Sequence, residues 1–198
     1  MREQPGIDPR VTDRRIRRTR GLLHEALASL IHEKPYDDIV VKEILGRADV
    51  GRSTFYAHFR DKDDLLAAGL RDLLHDGDAH AAPSTRRAEW VLRFSAPMFE
   101  HIGRHACAAA PGVAARQEDS LHQHLEREMS DTLAARMRRA APIPGTVPIE
   151  LLAAHTAATF VRVLEWWIAN GLRQSASETD ATFRALALPS LREAFGER

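Results

Sequence analysis

Apolar side chains in this sequence recur at helical spacing and almost never alternate. Leu23, Ala26, Leu27, Leu30 and Ile31 share one face of a helix. Ile39-Val40-Val41 is a β-branched triple too short for a convincing strand. A chain patterned this way must bury helical stripes against one another, so an all-α fold is expected. The first helix is predicted over residues 12–32, stopping before Pro35. A short helix over 41–48 follows, then the interruption Asp49-Val50-Gly51, then a second short helix over 52–59. Asp61 is a good N-cap for a fourth helix over 62–78, with Asp63 and Asp64 in the first turn, where the helix dipole favours acids. Further on, Pro83-Ser84-Thr85 opens a helix that Pro97 should kink, and a break is read over 106–115. Helices over 117–140 and 148–172 flank a Pro-rich linker, and the last helix, 178–195, is interrupted by Pro189.

Composition narrows the function classes. The chain has 198 residues, 44% hydrophobic and 28% charged, which suits a globular core and neither long disorder nor a collagen-like chain. Lys plus Arg and Asp plus Glu are 28 each, so a uniformly basic coat is excluded, but a local basic patch is not. One exists: six arginines and Asp13 between Arg10 and Arg20. The single cysteine, Cys107, has no intrachain partner, and a reducing, cytoplasmic setting is expected. The N-terminal MREQPGIDPR holds no apolar signal core. The most apolar run, 151–169, contains His155, Arg162 and Glu165, which suits a buried or interface helix better than a membrane span.

The segment VKEILGRADVGRSTFYAHF, residues 41–59, has the layout of a helix-turn-helix, whose second helix enters the DNA major groove. Ile44, Leu45, Ala48, Val50, Phe55 and Phe59 are the apolar positions that let the two helices pack. The opposite face of the second helix carries Ser53, Thr54, Tyr56 and Ala57, small or hydroxylated side chains able to approach phosphates and base edges. Arg52 stands at its N-terminal end, where a bidentate donor reaches a guanine edge. His58 and Lys62 at the far end suit phosphate oxygens, and a lysine at a helix start, disfavoured by the dipole, makes sense beside one. Lys42 joins this DNA-contact set. From the arginine-rich arm, Arg14 and Arg18 are placed near DNA for counterion release or minor-groove contact. A charge run of this kind also serves as a plain solvated face.

Residues 12–66 resemble the N-terminal domain of the TetR/AcrR family of transcriptional regulators. The likeness rests on ALASLI (26–31), on Tyr36-Asp37-Asp38-Ile39 and on VKEILGRADVGRSTFYAHFRDKDDLL (41–66). Its most specific run is Thr54-Phe55-Tyr56-x-His58-Phe59-x-x-Lys62-x-x-Leu65-Leu66. Two positions depart from the family pattern. Asp49 stands where the turn usually has Gly, and Asp tolerates left-handed geometry better than most residues. Gly51 stands where a Ser cap is common, and Gly is a usable N-cap. The resemblance implies a three-helix DNA-binding domain over 10–60 and a helical ligand-binding and dimerisation domain over 61–198. It also implies a homodimer on a palindromic double-stranded operator, usually as a repressor, released by a small-molecule effector.

That implication gives candidate roles to residues that serve a plain core equally well. Trp90, Phe94, Met98, Met129, Leu133 and Phe160, with His101 as a polar anchor, are the candidate effector-site residues. Trp166, Trp167, Phe183, Leu186 and Leu191 are the candidate dimer patch. Adjacent residues point about 100° apart on a helix, so one tryptophan should face the core and the other a neighbour. His101, His105 and Cys107 suggest a metal- or redox-responsive regulator as the alternative, but the spacings match no closed zinc pattern and no metal or other cofactor is expected. A non-specific DNA binder governed by salt is a further alternative. No nucleotide loop, nucleophile elbow or HExxH occurs, so an enzyme is not expected.

Overall fold

The computed structural model describes residues 9–79, 86–106, 119–140 and 147–197, with side chains except at 9–14, 75–79, 105–106 and 119–120. Among the described residues the structure is helical and contains no strand. The elements are α1 (Pro9–Ile31), a 3-10 turn (Tyr36–Asp38), α2 (Val41–Ala48), α3 (Arg52–Tyr56), α4 (Lys62–Ala79), α5 (Arg87–Val91), a second 3-10 turn (Leu92–Phe94), α6 (Ser95–Ala106), α7 (Asp119–Ala140), α8 (Ile149–Ala169) and α9 (Ala176–Phe195). No helix of the described residues is long and apolar enough to cross a membrane. The predicted opening at 83–85, the break over 106–115 and the linker prolines Pro142 and Pro144 lie outside or largely outside the described residues.

Two apolar cores hold the chain together. The first buries Leu23, Leu27 and Leu30 of α1 against Ile39, Ile44, Phe55, Phe59, Leu65 and Ala68. The second gathers Leu70 and Leu74 of α4 with apolar residues of α5 to α9. The division between the two cores falls within α4, which serves the first with Leu65 and Ala68 and the second with Leu70 and Leu74. α7 also serves both, burying Leu121 in the first core and Met129, Leu133 and Met137 in the second. The first core thus draws on residues beyond position 60, where the chain-order boundary was expected.

Several helix boundaries differ from the pattern reading, each for a local reason. α3 ends at Tyr56 rather than 59, because the chain tightens into an i→i+3 turn there, with His58 N–H donating to Phe55 O at 2.8 Å. Pro97 does not kink a long helix. The chain already breaks into a 3-10 turn at Leu92–Phe94, which leaves Pro97 in the first turn of α6, where its missing N–H is no loss. Pro189 does not interrupt α9 either. It and Ala185 face solvent, so the carbonyl left without a partner can turn to water. α9 begins at Ala176 because Ser175 and Glu178 form a reciprocal capping box, an S-x-x-E signature present in the sequence.

Candidate nucleic-acid interface

The turn between α2 and α3 depends on one residue. Asp49 ends α2 with φ 51° and ψ 47°, and its N–H donates to Leu45 O. This is the left-handed conformation expected of a residue standing in glycine's place. Gly51 then takes extended geometry as the N-cap of α3, and Phe55 N–H donates to its carbonyl at 3.1 Å. A Cβ on Gly51 would meet Thr54 Oγ1 at 3.9 Å, so nothing steric excludes the serine cap that is absent here.

Buried aromatics aim α3. Phe55 and Phe59 are buried with ring centres 5.8 Å apart, and His24 of α1 packs on Phe59 at 5.7 Å. Tyr56 stands edge-on to Phe55 at 5.2 Å while remaining 50% exposed, so its ring is held but its hydroxyl end is open. Arg52, Ser53 and Thr54 are exposed on α3, Lys42 on α2 and Arg18 on α1. His58 is half-buried with its ring 6.3 Å from Phe59. The Arg14 side chain lies outside the described residues. Arg20, from the same arginine-rich arm, is turned inward: it donates to Asp72 of α4 at 3.1 Å and lies 5.6 Å over Phe59.

Lys62, expected at a phosphate oxygen, is held within the chain in this structure. Its Nζ donates to the carbonyls of Tyr36, Asp37 and Ile39 at 2.8, 3.1 and 3.1 Å and sits 4.5 Å over the Tyr36 ring. Those three bonds use all three ammonium donors. The Tyr36 hydroxyl donates to Asp63 Oδ1 at 2.5 Å, and burial, reinforced by Asp63, pushes its phenol well up, so it stays a donor. Two more clamps brace α2. Arg47 forks onto Glu33 while donating to Ser29 at 2.7 Å, and Lys34 donates to Glu43 at 2.6 Å. The Arg47 hydrogen bond holds the Glu33 carboxyl below its usual range, as the Lys34 hydrogen bond does for Glu43. These partners lie 9 to 27 positions apart in sequence, beyond any periodicity.

The residues expected around an effector are brought together, in the second core. Phe94, Met98, Met129, Leu133 and Phe160 are buried there, and Trp90 packs against them with Arg136 stacked 4.9 Å over its ring. Phe99 of the same core stacks on Phe160 at 4.6 Å. His101 is half-buried on α6. The side chain of His105 and all of Cys107 lie outside the described residues, and among those described no group of three His, Cys, Asp or Glu residues is placed to hold a metal.

The expected dimer patch divides. Trp167, Phe183 and Leu191, expected at a dimer patch, are buried in the chain's own second core. Phe183 lies 5.3 Å from Phe160, and Trp167 Nε1 donates to Gln174 O at 2.8 Å. Trp166 is 42% exposed and Leu186 58%, as the angular offset of the tandem tryptophans requires.

A short helix held by a buried aromatic pair, with its polar face open and a left-handed turn before it, defines a helix-turn-helix DNA-binding protein. Residues 23–68 match the family described as bacterial regulatory proteins, tetR family. The uncharacterized HTH-type transcriptional regulator YxbF of Bacillus subtilis (strain 168) is 38% identical over 55 residues, 27% of this chain and 14% of that protein. The TetR transcriptional regulator from Streptococcus agalactiae 2603V shares the fold at 23% identity and TM-score 0.51, over 91% of this chain and 99% of that one. The fatty acid degradation regulator FadR from Bacillus halodurans does so at 16% identity and TM-score 0.54, over 97% and 99%. Over residues 23–68 the chain is similar to the tetR family of bacterial regulatory proteins, and along most of its length it has the fold of the two solved regulators.

Proposed function

We propose that the protein is a homodimeric transcriptional repressor of the cytoplasm that binds a palindromic operator and is released by a small-molecule effector. The observation that carries this is the open polar face of α3, with Arg52, Ser53, Thr54 and Tyr56 exposed and Phe55 buried beneath them. Arg52 is the candidate base reader, because its first-turn position allows a bidentate contact to guanine. Tyr56, Ser53 and Thr54 suit phosphates and nearby base edges, with Lys42 and Arg18 adding phosphate contacts. The exposed Trp166 and Leu186 support pairing through α8 and α9. The aromatic and methionine-rich second core, Trp90 to Phe160, is the proposed seat of an apolar or amphipathic effector.

The test is selection of bound genomic fragments by the purified protein, followed by sequencing and a salt titration. A dimeric regulator enriches a palindrome with half-sites roughly 34–36 Å apart, or a multiple of that. Uniform, salt-governed retention overturns sequence-specific reading. Arg52→Ala is expected to weaken the selected site by about 1–3 kcal/mol while leaving random DNA nearly unaffected. Equal losses on both would remove Arg52 as a base reader.

A further inference from the structure

We propose that the end of α9 is a latch on α5: Glu197 caps the backbone of α5 and two arginines of α9 grip Glu89, so that releasing this latch opens the second core on the α5 side. The proposal rests on the effector reading of that core and concerns what admits a molecule to it. α5 is five residues long, too short to hold its helical form alone. Its N-cap, Arg86, makes no side-chain cap bond, so the first N–H groups of the helix need an acceptor from elsewhere. Glu197, 110 positions from Arg87, supplies it. Its carboxylate accepts from Arg87 N–H at 2.6 Å and from Ala88 N–H at 3.4 Å. Gly196 makes this possible: at φ 66° it lies in the left-handed region and turns the chain back, with Glu197 N–H donating to Arg192 O at 2.8 Å.

Toward α9, α5 is held by charge. Glu89 accepts from Arg184 Nη1 at 2.9 Å through one oxygen and from Arg192 Nη2 at 2.8 Å through the other. Arg184 is itself fixed, donating from Nη2 to Leu92 O at 3.1 Å and from Nε to Asp180 at 3.0 Å, and Asp180 also accepts from the Ser95 hydroxyl. The Arg87 guanidinium lies 5.4 Å over the Phe195 ring and donates to Phe195 O at 3.0 Å. Toward the second core, α5 is held by packing: Ala88 and Val91 are buried there, and Trp90 of the proposed effector site carries Arg136 of α7 over its ring. Partly exposed ion pairs such as Glu89–Arg192 yield to water more readily than buried packing does. α9 buries Phe183, Ala187, Leu191 and Phe195 in the core against Ala88 and Val91 of α5, so α5 is the element that moves when the pairs open.

The test uses the full chain. Glu197→Ala and Glu89→Gln are compared with wild type by hydrogen exchange and by stopped-flow uptake of the apolar dye anilinonaphthalene sulfonate. A latch gives about tenfold faster exchange over residues 87–94 in each variant, with α8 exchanging as in wild type. The slow phase of dye uptake, which reports entry beneath the surface, should quicken by a similar factor. Equal quickening of exchange in α5 and α8 would make these contacts general supports of the fold and overturn the proposal. So would unchanged exchange over residues 87–94 in a folded variant, and either variant decides this where the other does not fold. Faster exchange in α5 with wild-type dye uptake would show that the core is entered elsewhere, which also overturns it. If α5 exchange responds while no protein, wild type included, takes up dye, the effector reading of the second core fails, and the latch's part in admission with it.

Discussion

His24 shows how one side chain ties the helix-turn-helix to α4. It lies between α1 and α4, its ring against Phe59, and a Cβ on Gly69 would come within 3.3 Å of its Cδ2. Its buried Nε2 finds no hydrogen-bond partner among the described residues. Burial, opposed by Asp72 and aided by Arg20, holds the imidazole below its ordinary value of 6.5. The folded state therefore favours neutral His24, while the unfolded chain takes up a proton at higher pH. This contribution to stability is full above pH 6.5 and is lost as pH falls through the lowered folded value. The melting temperature of wild type is expected to fall more steeply than that of His24→Gln between about pH 7 and about pH 5.5. Parallel curves would show that His24 does not titrate against the fold. Periodicity placed Leu23 and Leu27 in the core. It could not show that His24 spends its imidazole against Gly69, because that meeting joins two helices 45 positions apart.

At the scale of the element, the short helices and their turn were the most legible part of the chain. α2 came out at 41–48 as read, and the left-handed Asp49 fits the tolerance expected of it, because turn chemistry is local. The role of α7 was not legible. Its charged, periodic sequence says only that one face is buried, and the structure divides that face between two cores. Leu121, near its start, is buried among residues of the DNA-binding domain. Leu121→Ala is therefore expected to destabilise that domain by about 2–5 kcal/mol. Hydrogen exchange should show the loss in α1 to α3 as well as in α7. Faster exchange confined to α7 would mean that the helix lies against the domain without supporting it.

For the whole molecule, the proposed pairing rests on exposed apolar side chains of the last two long helices. Trp166 and Leu186 are joined by Leu151, 62% exposed near the start of α8. Replacing Trp166 and Leu186 together by Glu is expected to convert a dimer to a folded monomer, read as a lower sedimentation coefficient at low micromolar protein with unchanged helix content. An unchanged profile would remove these residues from any interface. The choice of Trp166 over Trp167 is where sequence and tertiary structure part. Both tryptophans sit on the same apolar helix, and their 100° offset requires different surroundings without saying which is inside. The sequence by itself determined the all-α class, the helix-turn-helix with its left-handed turn, and the aromatic pair beneath α3. Those features follow from spacing and from the conformational limits of single residues, which act over a few positions. Only the tertiary structure decided that Trp167, Phe183 and Leu191 are core, that Lys62 serves backbone carbonyls, and that α4 and α7 join two cores. Those facts depend on which distant side chain arrives at a given place, and burial and pairing are set there rather than along the chain.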